Sequence, residues 1–303
     1  MKRELVIVGA GPAGVSAALR ARVLDLDPLV LESAPGPGGQ LAHVHFEPHD
    51  IAGGVAGDGH AISREYARQL AERGIDVRYA AEARALEAAN EPALSLSDGE
   101  RVEAVAMLVA TGVRRRRLEV PGERELEDRG VSYSATRDRD ALAGRVVAVV
   151  GGGDAACENA LLLADAGSDV TLVARAELSA RREFRDRLRA SRRVRVIEHA
   201  RVLEVLGANA VTGLRLAGPG GESRLDCTGV VIKVGVEPNT EWCRDALPCD
   251  PQGYVNVDAA LATQMPRVWA AGDVVRPPRM SVAGALGSGA LAAASIRRAL
   301  RGE

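Results

Sequence analysis

Two glycine-rich turns constrain this chain more than any other feature of its sequence. The segment "ELVIVGAGPAGVSAALRARVLDLDPLVLES", residues 4–33, reads as an apolar strand, a tight turn, a helix of small residues and a second apolar strand. The spacing GxGxxG is formed by Gly9, Gly11 and Gly14. These glycines permit the turn, a close approach to a pyrophosphate and helix packing, and Glu32 stands where a carboxylate accepts hydrogen bonds from ribose hydroxyls. The segment predicts a nucleotide-binding βαβ unit.

A second unit of the same kind is "RVVAVVGGGDAACENALLLADAGSDVTLVAR", residues 145–175. Its spacing GxGxxA is formed by Gly151, Gly153 and Ala156. The position that matches Glu32 is Ala174, and Arg175 follows it. Because a guanidinium can bind a 2′-phosphate, this replacement slightly favours NADP over NAD. The alternative is that Arg175 is a solvated side chain at a strand end.

Length and composition place the chain among globular proteins with two domains. Its 303 residues exceed one ordinary core, and a net charge of −2 gives no general attraction to nucleic acid or an anionic membrane. No apolar run reaches the roughly 18 residues of a membrane span, and "MKRELVIVGAGPAG" enters a strand rather than a signal peptide, so we expect a cytoplasmic protein. The cysteines have no CxxC or paired zinc spacing, which predicts isolated thiols and no structural metal; they are Cys157, Cys227, Cys243 and Cys249.

The C-terminal part indicates that the first domain resumes after the second one ends. The segment "RVWAAGDVVRPPRMSVAGALGSGALAAASIRRAL", residues 267–300, reads as a strand, a GD turn and a long helix of alanine and glycine. Asp273 in that turn is placed to hold a ribityl hydroxyl. The following helix can direct its positive N-terminal end at the pyrimidine edge of a flavin.

Taken together, these motifs resemble thioredoxin reductase over nearly the whole chain. The resemblance is carried by GxGxxG with Glu32, "GGQL" at 38–41, "ATG" at 110–112, "PGE" at 121–123, GxGxxA, "GVEPNT" at 235–240 and "AAGDV" at 270–274. It implies an α/β fold with two Rossmann-like, three-layer ββα nucleotide-binding domains, the second inserted in the first. The implied FAD domain is residues 1–113 and 241–303, and the implied NAD(P)H domain is residues 114–240. The resemblance also implies a homodimer and a domain rotation that brings nicotinamide to the flavin.

The motifs and the resemblance assign residues to both cofactors. For FAD, we expect Gly9, Gly11, Ala13, Gly14, Glu32, Gly39, Gln40, Asp50, Ala110, Thr111, Gly112, Gly272, Asp273, Met280, Ser281 and Val282. For NAD(P)H, we expect Gly151, Gly153, Asp154, Ala155, Ala156, Glu158 and Arg175. Gln40 and its neighbours would lie along the isoalloxazine ring, and Glu158 would face the nicotinamide.

The reaction centre departs from the family pattern. Where the resemblance places a redox-active CxxC, this chain has "SATR", residues 134–137. Serine has no accessible redox couple and arginine carries no electrons, so thioredoxin reduction by the family mechanism is not expected. Cys157 is expected to be a buried structural thiol rather than a substitute. We therefore expect an FAD-dependent NAD(P)H oxidoreductase that passes electrons from the flavin directly to a non-disulfide acceptor.

Ser134 and Arg137 are the first candidates for the acceptor site. Arg137 would place a cation near the acceptor and favour an anionic substrate. The alternative is that Arg137 points to solvent and Ser134 only caps a turn.

Two other functions of the protein stay open: a flavin-binding protein without turnover, and a ferredoxin or flavodoxin reductase. For the reductase, arginines at 114–117 and in 180–196 could dock an acidic carrier. Thioredoxin-reductase-like ferredoxin reductases, however, carry a C-terminal extension with an aromatic ring over the flavin, and here no aromatic residue follows Trp269.

Histidines cluster directly after "GGQL", at His43, His45, His49 and His60. We assign His43 and His45 to the substrate pocket, where an imidazole could move a proton during reduction of the acceptor. Metal binding by HxHxxxH is less favoured, because no cysteine accompanies it. The histidines could equally be ordinary loop residues.

Overall fold

The computed structural model describes residues 2–48, 51–52, 54, 56–87 and 91–302. The strands in these ranges are β1 (Arg3–Val8), β2 (Pro28–Leu31), β3 (Asp76–Arg78), β4 (Ala83–Glu87), β5 (Ala93–Leu96), β6 (Arg101–Val109), β7 (Val113–Arg115), β8 (Val131–Ser132), β9 (Val146–Val150), β10 (Asp169–Val173), β11 (Val194–Ile197), β12 (Arg201–Leu206), β13 (Gly213–Gly218), β14 (Gly221–Asp226), β15 (Gly229–Ile232), β16 (Val236–Pro238) and β17 (Val268–Ala270). The α-helices are α1 (Pro12–Val23), α2 (Gly59–Glu72), α3 (Arg139–Leu142), α4 (Asp154–Asp165), α5 (Arg182–Ala190) and α6 (Val282–Arg301). Short 3₁₀-helices cover Gly39–His43 and Gly272–Val275.

The chain divides into two compact units. Unit 1 comprises Met1–Arg114 and Glu237–Glu303, and unit 2 comprises Arg115–Val236. Both boundaries fall within the short strands β7 and β16. Among the residues that the structure describes, no helix is long and apolar enough to cross a membrane.

Unit 1 is built on a sheet in which β3, β2, β1, β6 and β17 are parallel neighbours. The antiparallel strands β4 and β5 extend it from β6. Because successive strand residues face opposite sides, Leu5 and Ile7 of β1 pack towards the helices, whereas Val6 and Val8 join the core beneath the antiparallel strands. Burial on both faces explains why β1 is a continuous apolar run.

Unit 2 repeats this layering with a smaller sheet. The parallel order is β11, β10, β9, β15 and β8, and β12, β13 and β14 form a separate antiparallel meander. In β9, Val147 and Val149 pack in the core with α4 and α5, whereas Ala148 and Val150 pack in the core with the meander. Each unit therefore has helices, a central sheet and antiparallel strands in three layers, with its glycine turn at the carboxyl end of β1 in unit 1 and of β9 in unit 2.

Candidate cofactor sites

Unit 1 contains a cavity of about 570 Å³ that its glycine turn and the strand ends enclose. Its lining includes most of the residues predicted for FAD: Gly9, Gly11, Ala13, Glu32, Gly39, Gln40, Ala110, Thr111, Gly112, Gly272, Asp273, Ser281 and Val282. Gly14 and the exposed Met280 lie outside this lining. Asp50 and His49 lie outside the residues that the structure describes.

Gly9 fixes the shape of the turn in unit 1. Its φ of +106° is a conformation that favours glycine, and a Cβ atom there would lie 2.4 Å from the carbonyl oxygen of Ala110. The next glycine, Gly11, caps α1 in an extended conformation, and no side chain bonds to the helix terminus. The first N–H groups of α1 therefore remain available to an anion such as a pyrophosphate.

The Glu32 carboxylate is held firmly at the end of β2. It is only 7% exposed, and its Oε2 accepts a hydrogen bond from the backbone N–H of Ala10 at 2.7 Å. Its Oε1 accepts one from the backbone N–H of Ala34 at 2.8 Å. Oε1 also accepts a longer hydrogen bond from Ser33 Oγ at 3.3 Å, whereas Oε2 keeps a second acceptor position, which a ribose hydroxyl could use.

Asp273 carries an unsatisfied acceptor in the same cavity. Within the described part of the chain, its Oδ1 is buried and has no hydrogen-bond partner. Burial raises the pKa of this carboxyl group above its ordinary value. An unpaired buried acceptor is unfavourable by about 1 to 3 kcal/mol, so the site is complete only when a ligand brings a hydroxyl or N–H donor. A ribityl hydroxyl is such a donor, and the lining therefore fits FAD.

Some cavity residues carried no signal in the sequence. Asn239 locks the turn after β6, because its Nδ2 donates to the carbonyl of Thr111 at 2.8 Å while Thr111 Oγ1 donates to the carbonyl of Asn239 at 2.8 Å. Trp242 also lines the cavity, and its indole Nε1 is buried without a partner among the described residues. The motif "GVEPNT" includes Asn239, but only the fold shows that it meets "ATG".

Unit 2 contains a second cavity, of about 1120 Å³, around its own glycine turn. Its lining includes the predicted residues Gly151, Gly153, Asp154, Ala155, Ala156 and Arg175. The predicted Glu158 is exposed on α4 and is not part of this lining. Cations outnumber carboxylates in the lining, which includes the cations Arg115, Arg116, Arg117, Arg175, Arg201 and Lys233 and the carboxylates Glu119, Asp154 and Glu177. This balance suits a ligand that carries several phosphate charges.

Two charged residues of the unit 2 cavity differ in their surroundings: Asp154 is hydrogen-bonded to a neighbouring residue, whereas Arg175 is exposed. Asp154 accepts hydrogen bonds from the backbone N–H and the Nε of Arg181, both at 2.7 Å. Arg175 is exposed at the end of β10, directly after Ala174, which is buried. The cation thus replaces the carboxylate that Glu32 supplies in unit 1.

The segment that replaces CxxC has the geometry of a capped turn. Ser134 is 6% exposed, and its Oγ accepts a hydrogen bond from the backbone N–H of Arg137 at 3.3 Å. The guanidinium of Arg137 donates to Asp138 at 2.8 Å and to Asp128 at 3.1 Å. Neither Ser134 nor Arg137 lines the cavities described above. The turn-capping alternative accounts for these contacts, and an acceptor beside Arg137 stays a prediction.

His43 and His45 follow Gln40 but do not line the cavity of unit 1. His43 is exposed, and the ring of His45 is 5.8 Å from that of His60. Among the residues that the structure describes, no group of three His, Cys, Asp or Glu side chains has a metal-binding arrangement.

The four cysteines are free thiols, and Cys157 is buried as predicted. Burial raises the pKa of Cys157 and of Cys227 to about 11, and that of Cys243 to about 12. The pKa of Cys249 is also raised by burial. Thiols with raised pKa values hold little nucleophilic thiolate at neutral pH.

Comparison with known proteins decides the family. A model of the pyridine nucleotide-disulphide oxidoreductase family matches residues 3–289. The chain belongs to this family. Family members are FAD-dependent oxidoreductases that use NAD(P)H, which confirms the predicted cofactors at the level of the family.

The relatives include proteins longer than this chain. The chain is 35% identical to the bifunctional thioredoxin reductase/thioredoxin of Mycobacterium leprae (strain TN), over 97% of this chain and 65% of that protein. It is 31% identical to an NADH dehydrogenase of Bacillus subtilis (strain 168), over 96% of this chain and 57% of that protein. The chain thus spans less than two thirds of both relatives.

A solved structure matches the fold over the full length. The crystal structure of Lactococcus lactis thioredoxin reductase in its FR conformation aligns with a TM-score of 0.86 and 28% identity, covering 99% of this chain and 100% of that one. The predicted α/β class with two Rossmann-like nucleotide-binding domains is therefore confirmed.

Proposed function

We propose that this chain is an NAD(P)H oxidoreductase that delivers electrons to an acceptor other than a protein disulfide. The observation that carries the proposal is the chemistry of its sulfur atoms. The positions that resemble the family dithiol are Ser134 and Arg137, and the thiols elsewhere in the chain have pKa values raised by burial. A disulfide relay needs an accessible thiolate to attack its substrate. The name NADH dehydrogenase for one relative further supports an acceptor of another class.

In this proposal, unit 1 holds FAD. Gly9 and the N-terminus of α1 would bind the pyrophosphate, Glu32 the adenosine ribose and Asp273 a ribityl hydroxyl. When bound, FAD would supply the ability to accept a hydride from NAD(P)H and to return two electrons to the acceptor. The protein's own contribution is to orient the ring system and to limit access to it.

Unit 2 holds the nicotinamide dinucleotide in the same proposal. The pyrophosphate would lie at the glycine turn, where Gly153 caps α4 without a side-chain hydrogen bond. Arg175, exposed at the end of β10, would contact the 2′-phosphate of NADPH and would have no matching partner in NADH.

The decisive experiment is anaerobic rapid mixing of the FAD-loaded protein with NADH or NADPH. Prompt loss of the flavin absorbance, followed by reoxidation with small quinones, ferricyanide or oxygen, is the expected result. A yellow protein that neither nucleotide bleaches would instead support the flavin-binding protein without turnover. Reoxidation that requires ferredoxin or flavodoxin would support the electron-carrier reductase.

A second experiment tests the exclusion of disulfide chemistry directly. We expect no NADPH-dependent reduction of thioredoxin by the wild type, and unchanged reoxidation by small acceptors in Cys157→Ala. Cys249→Ala serves as the matched control, because Cys249 is the least buried of the four thiols. Thioredoxin turnover that disappears in either variant would contradict the proposal.

A further inference from the structure

Lys233 is an unusual residue for its position and for this chain. Of the 39 lysines and arginines in the sequence, only Lys2 and Lys233 are lysines. Lys2 pairs with Glu91 at the surface of unit 1, whereas Lys233 follows β15 and lines the cavity of unit 2. Lys233 is therefore the one lysine among the residues that line this cavity, and its ammonium is a compact charge that a guanidinium would not reproduce.

The backbone of Lys233 touches the glycine turn. Gly151 has a φ of +146°, and a Cβ atom at this position would lie 2.3 Å from the carbonyl oxygen of Lys233. A larger residue at Gly151 would therefore displace the strand end that carries the lysine. This contact fixes Lys233 on the β15 side of the turn.

The ammonium group of Lys233 has hydrogen-bonding capacity left over. Its Nζ donates to the carbonyl oxygen of Tyr133 at 2.7 Å, which anchors the side chain next to the end of β8. An ammonium has three donors, and Tyr133 uses one of them. Burial and the neighbouring Arg115 lower the pKa of Lys233 to about 8, while the carboxylate of Glu158 opposes this change.

The sheet order places Lys233 at a particular half of a dinucleotide. In a Rossmann unit the pyrophosphate crosses the glycine turn, and the adenosine lies over the second strand, here β10 with Arg175 at its end. The order β10, β9, β15 and β8 puts Lys233 on the opposite side of the turn. That side corresponds to the nicotinamide half.

We propose that Lys233 binds the nicotinamide end of NAD(P)H, donating a hydrogen bond from Nζ to the carboxamide oxygen. Glu158 on α4 is exposed and outside the cavity lining, but its charge acts on Lys233, so its carboxylate is the acceptor that would bind the carboxamide N–H group. The pair would thus hold the carboxamide by both of its polar atoms and set the orientation of the ring. This inference rests on the proposed use of unit 2 as the NAD(P)H site.

Equilibrium binding separates this role from a general attraction to phosphate. ADP-ribose has the phosphates and adenosine of NADH but lacks nicotinamide. We expect Lys233→Met to weaken NADH by about tenfold and ADP-ribose by less than about twofold. The reduced 3-acetylpyridine analogue of NADH keeps the carbonyl oxygen but lacks the amide nitrogen. Lys233→Met should therefore weaken binding of the analogue as much as binding of NADH, whereas Glu158→Gln should leave binding of the analogue unchanged.

The scarcity of lysine permits a direct spectroscopic test. Isotopic labelling of lysine gives two side-chain signals, and Lys2→Met assigns them while leaving the cavity intact. We expect the Lys233 signal to titrate near pH 8 in the free protein. Its pKa should rise further with NADH than with ADP-ribose, because only NADH brings the carboxamide acceptor. Arg115 on β7 and Glu158 on α4 are the charged groups whose variants control this titration.

Specific outcomes overturn the proposal. Equal weakening of NADH and ADP-ribose by Lys233→Met would show that the lysine acts on phosphate or supports the fold, and an unchanged NADH affinity would show that it has no role. Lys233→Arg, which keeps the cation, tests the case in which Lys233→Met disturbs folding. If wild-type protein binds neither ligand, the proposed function of unit 2 fails; if it binds both and only the Lys233 difference is missing, this inference alone fails.

Discussion

The two units build the same strand, turn and helix, and they differ at the end of the second strand. In unit 1 that end holds Glu32, whose two oxygens are fixed by backbone N–H groups. In unit 2 it holds the buried Ala174 and the exposed Arg175. In the proposed function the turn provides the phosphate contact in both units. The comparison places the chemical difference between the units at the residues beyond the second strand rather than at the turn, and in the proposed function these residues distinguish the nucleotides.

The cavities around these turns also differ in the polar groups that a ligand would have to supply. The cavity of unit 1 includes Asp273, with an acceptor that has no donor among the described residues. The cavity of unit 2 is lined by more cations than carboxylates. The first arrangement calls for hydroxyl or N–H donors and the second for anions, as expected for a flavin in unit 1 and a phosphate-rich dinucleotide in unit 2.

The largest effects should come from the first glycine turn. We expect Gly9→Ala to lose FAD almost completely, because its Cβ would collide with the carbonyl of Ala110 at an unfavourable φ. In Gly11→Ala the new Cβ meets no protein atom within 4 Å, so the fold should persist while the methyl group crowds the pyrophosphate. Flavin content after purification and the far-ultraviolet circular dichroism of each variant measure these outcomes.

Gly151→Ala is the mirror control in unit 2. It should impair NAD(P)H binding and leave the flavin content normal, because its collision is with Lys233 rather than Ala110. If Gly151→Ala lost FAD while Gly9→Ala retained it, the assignment of cofactors to the two units would be reversed.

The next effect concerns the unpaired acceptor of unit 1. We expect Asp273→Leu to weaken FAD by about tenfold or more, because a hydrogen bond to a charged group contributes about 1.5 to 3 kcal/mol. Asp273→Asn, which keeps an acceptor, should lose less. Titration of the apoprotein with FAD gives both dissociation constants, and equal affinities for all three proteins would exclude Asp273 as a flavin contact.

Asp273→Leu, which should weaken FAD binding, should instead increase the folding stability of the protein without FAD. Since the pKa of Asp273 is raised in the folded state, its ionisation opposes folding as pH rises through that pKa. Asp273→Leu should therefore stabilise the apoprotein at neutral pH and lose this advantage below the ordinary value of 3.8. Denaturation midpoints measured across this range test the sign.

Sequence patterns predicted the parts of the sites that are local in the chain. Both glycine turns, Glu32 and Arg175 follow from spacing within one βαβ unit, because strand, turn and helix are consecutive. Trp242 and Lys233 could not be found in this way, since they reach their cavities from strand ends and loops far along the chain. Ser134 shows a different limit: its resemblance to a dithiol position predicts a reaction centre, while its hydrogen bond with Arg137 caps a turn, so the acceptor site stays a prediction.

A smaller effect tests the replacement of the carboxylate in unit 2. We expect Arg175→Ala to weaken NADPH by about tenfold and NADH by less than about twofold, because only NADPH presents a 2′-phosphate. Arg201→Ala is the matched control, since Arg201 lines the same cavity at the start of β12. Fluorescence titration measures both affinities. Equal losses for the two nucleotides in Arg175→Ala would reduce Arg175 to a general attraction for phosphate.

The smallest effect is expected at the segment that replaces the dithiol. Arg137 is 45% exposed and paired with Asp138 and Asp128, so Arg137→Ala should change the free energy of unfolding by less than about 1 kcal/mol. If an anionic acceptor passes this guanidinium, the variant should slow its reduction by about twofold and leave a neutral acceptor unaffected. Asp128→Asn removes one of the neutralising charges and should change the rate in the opposite direction. If both variants reduce the anionic and the neutral acceptor at the wild-type rates, Ser134 and Arg137 belong to the turn alone. The acceptor site would then have to lie at other residues of the chain.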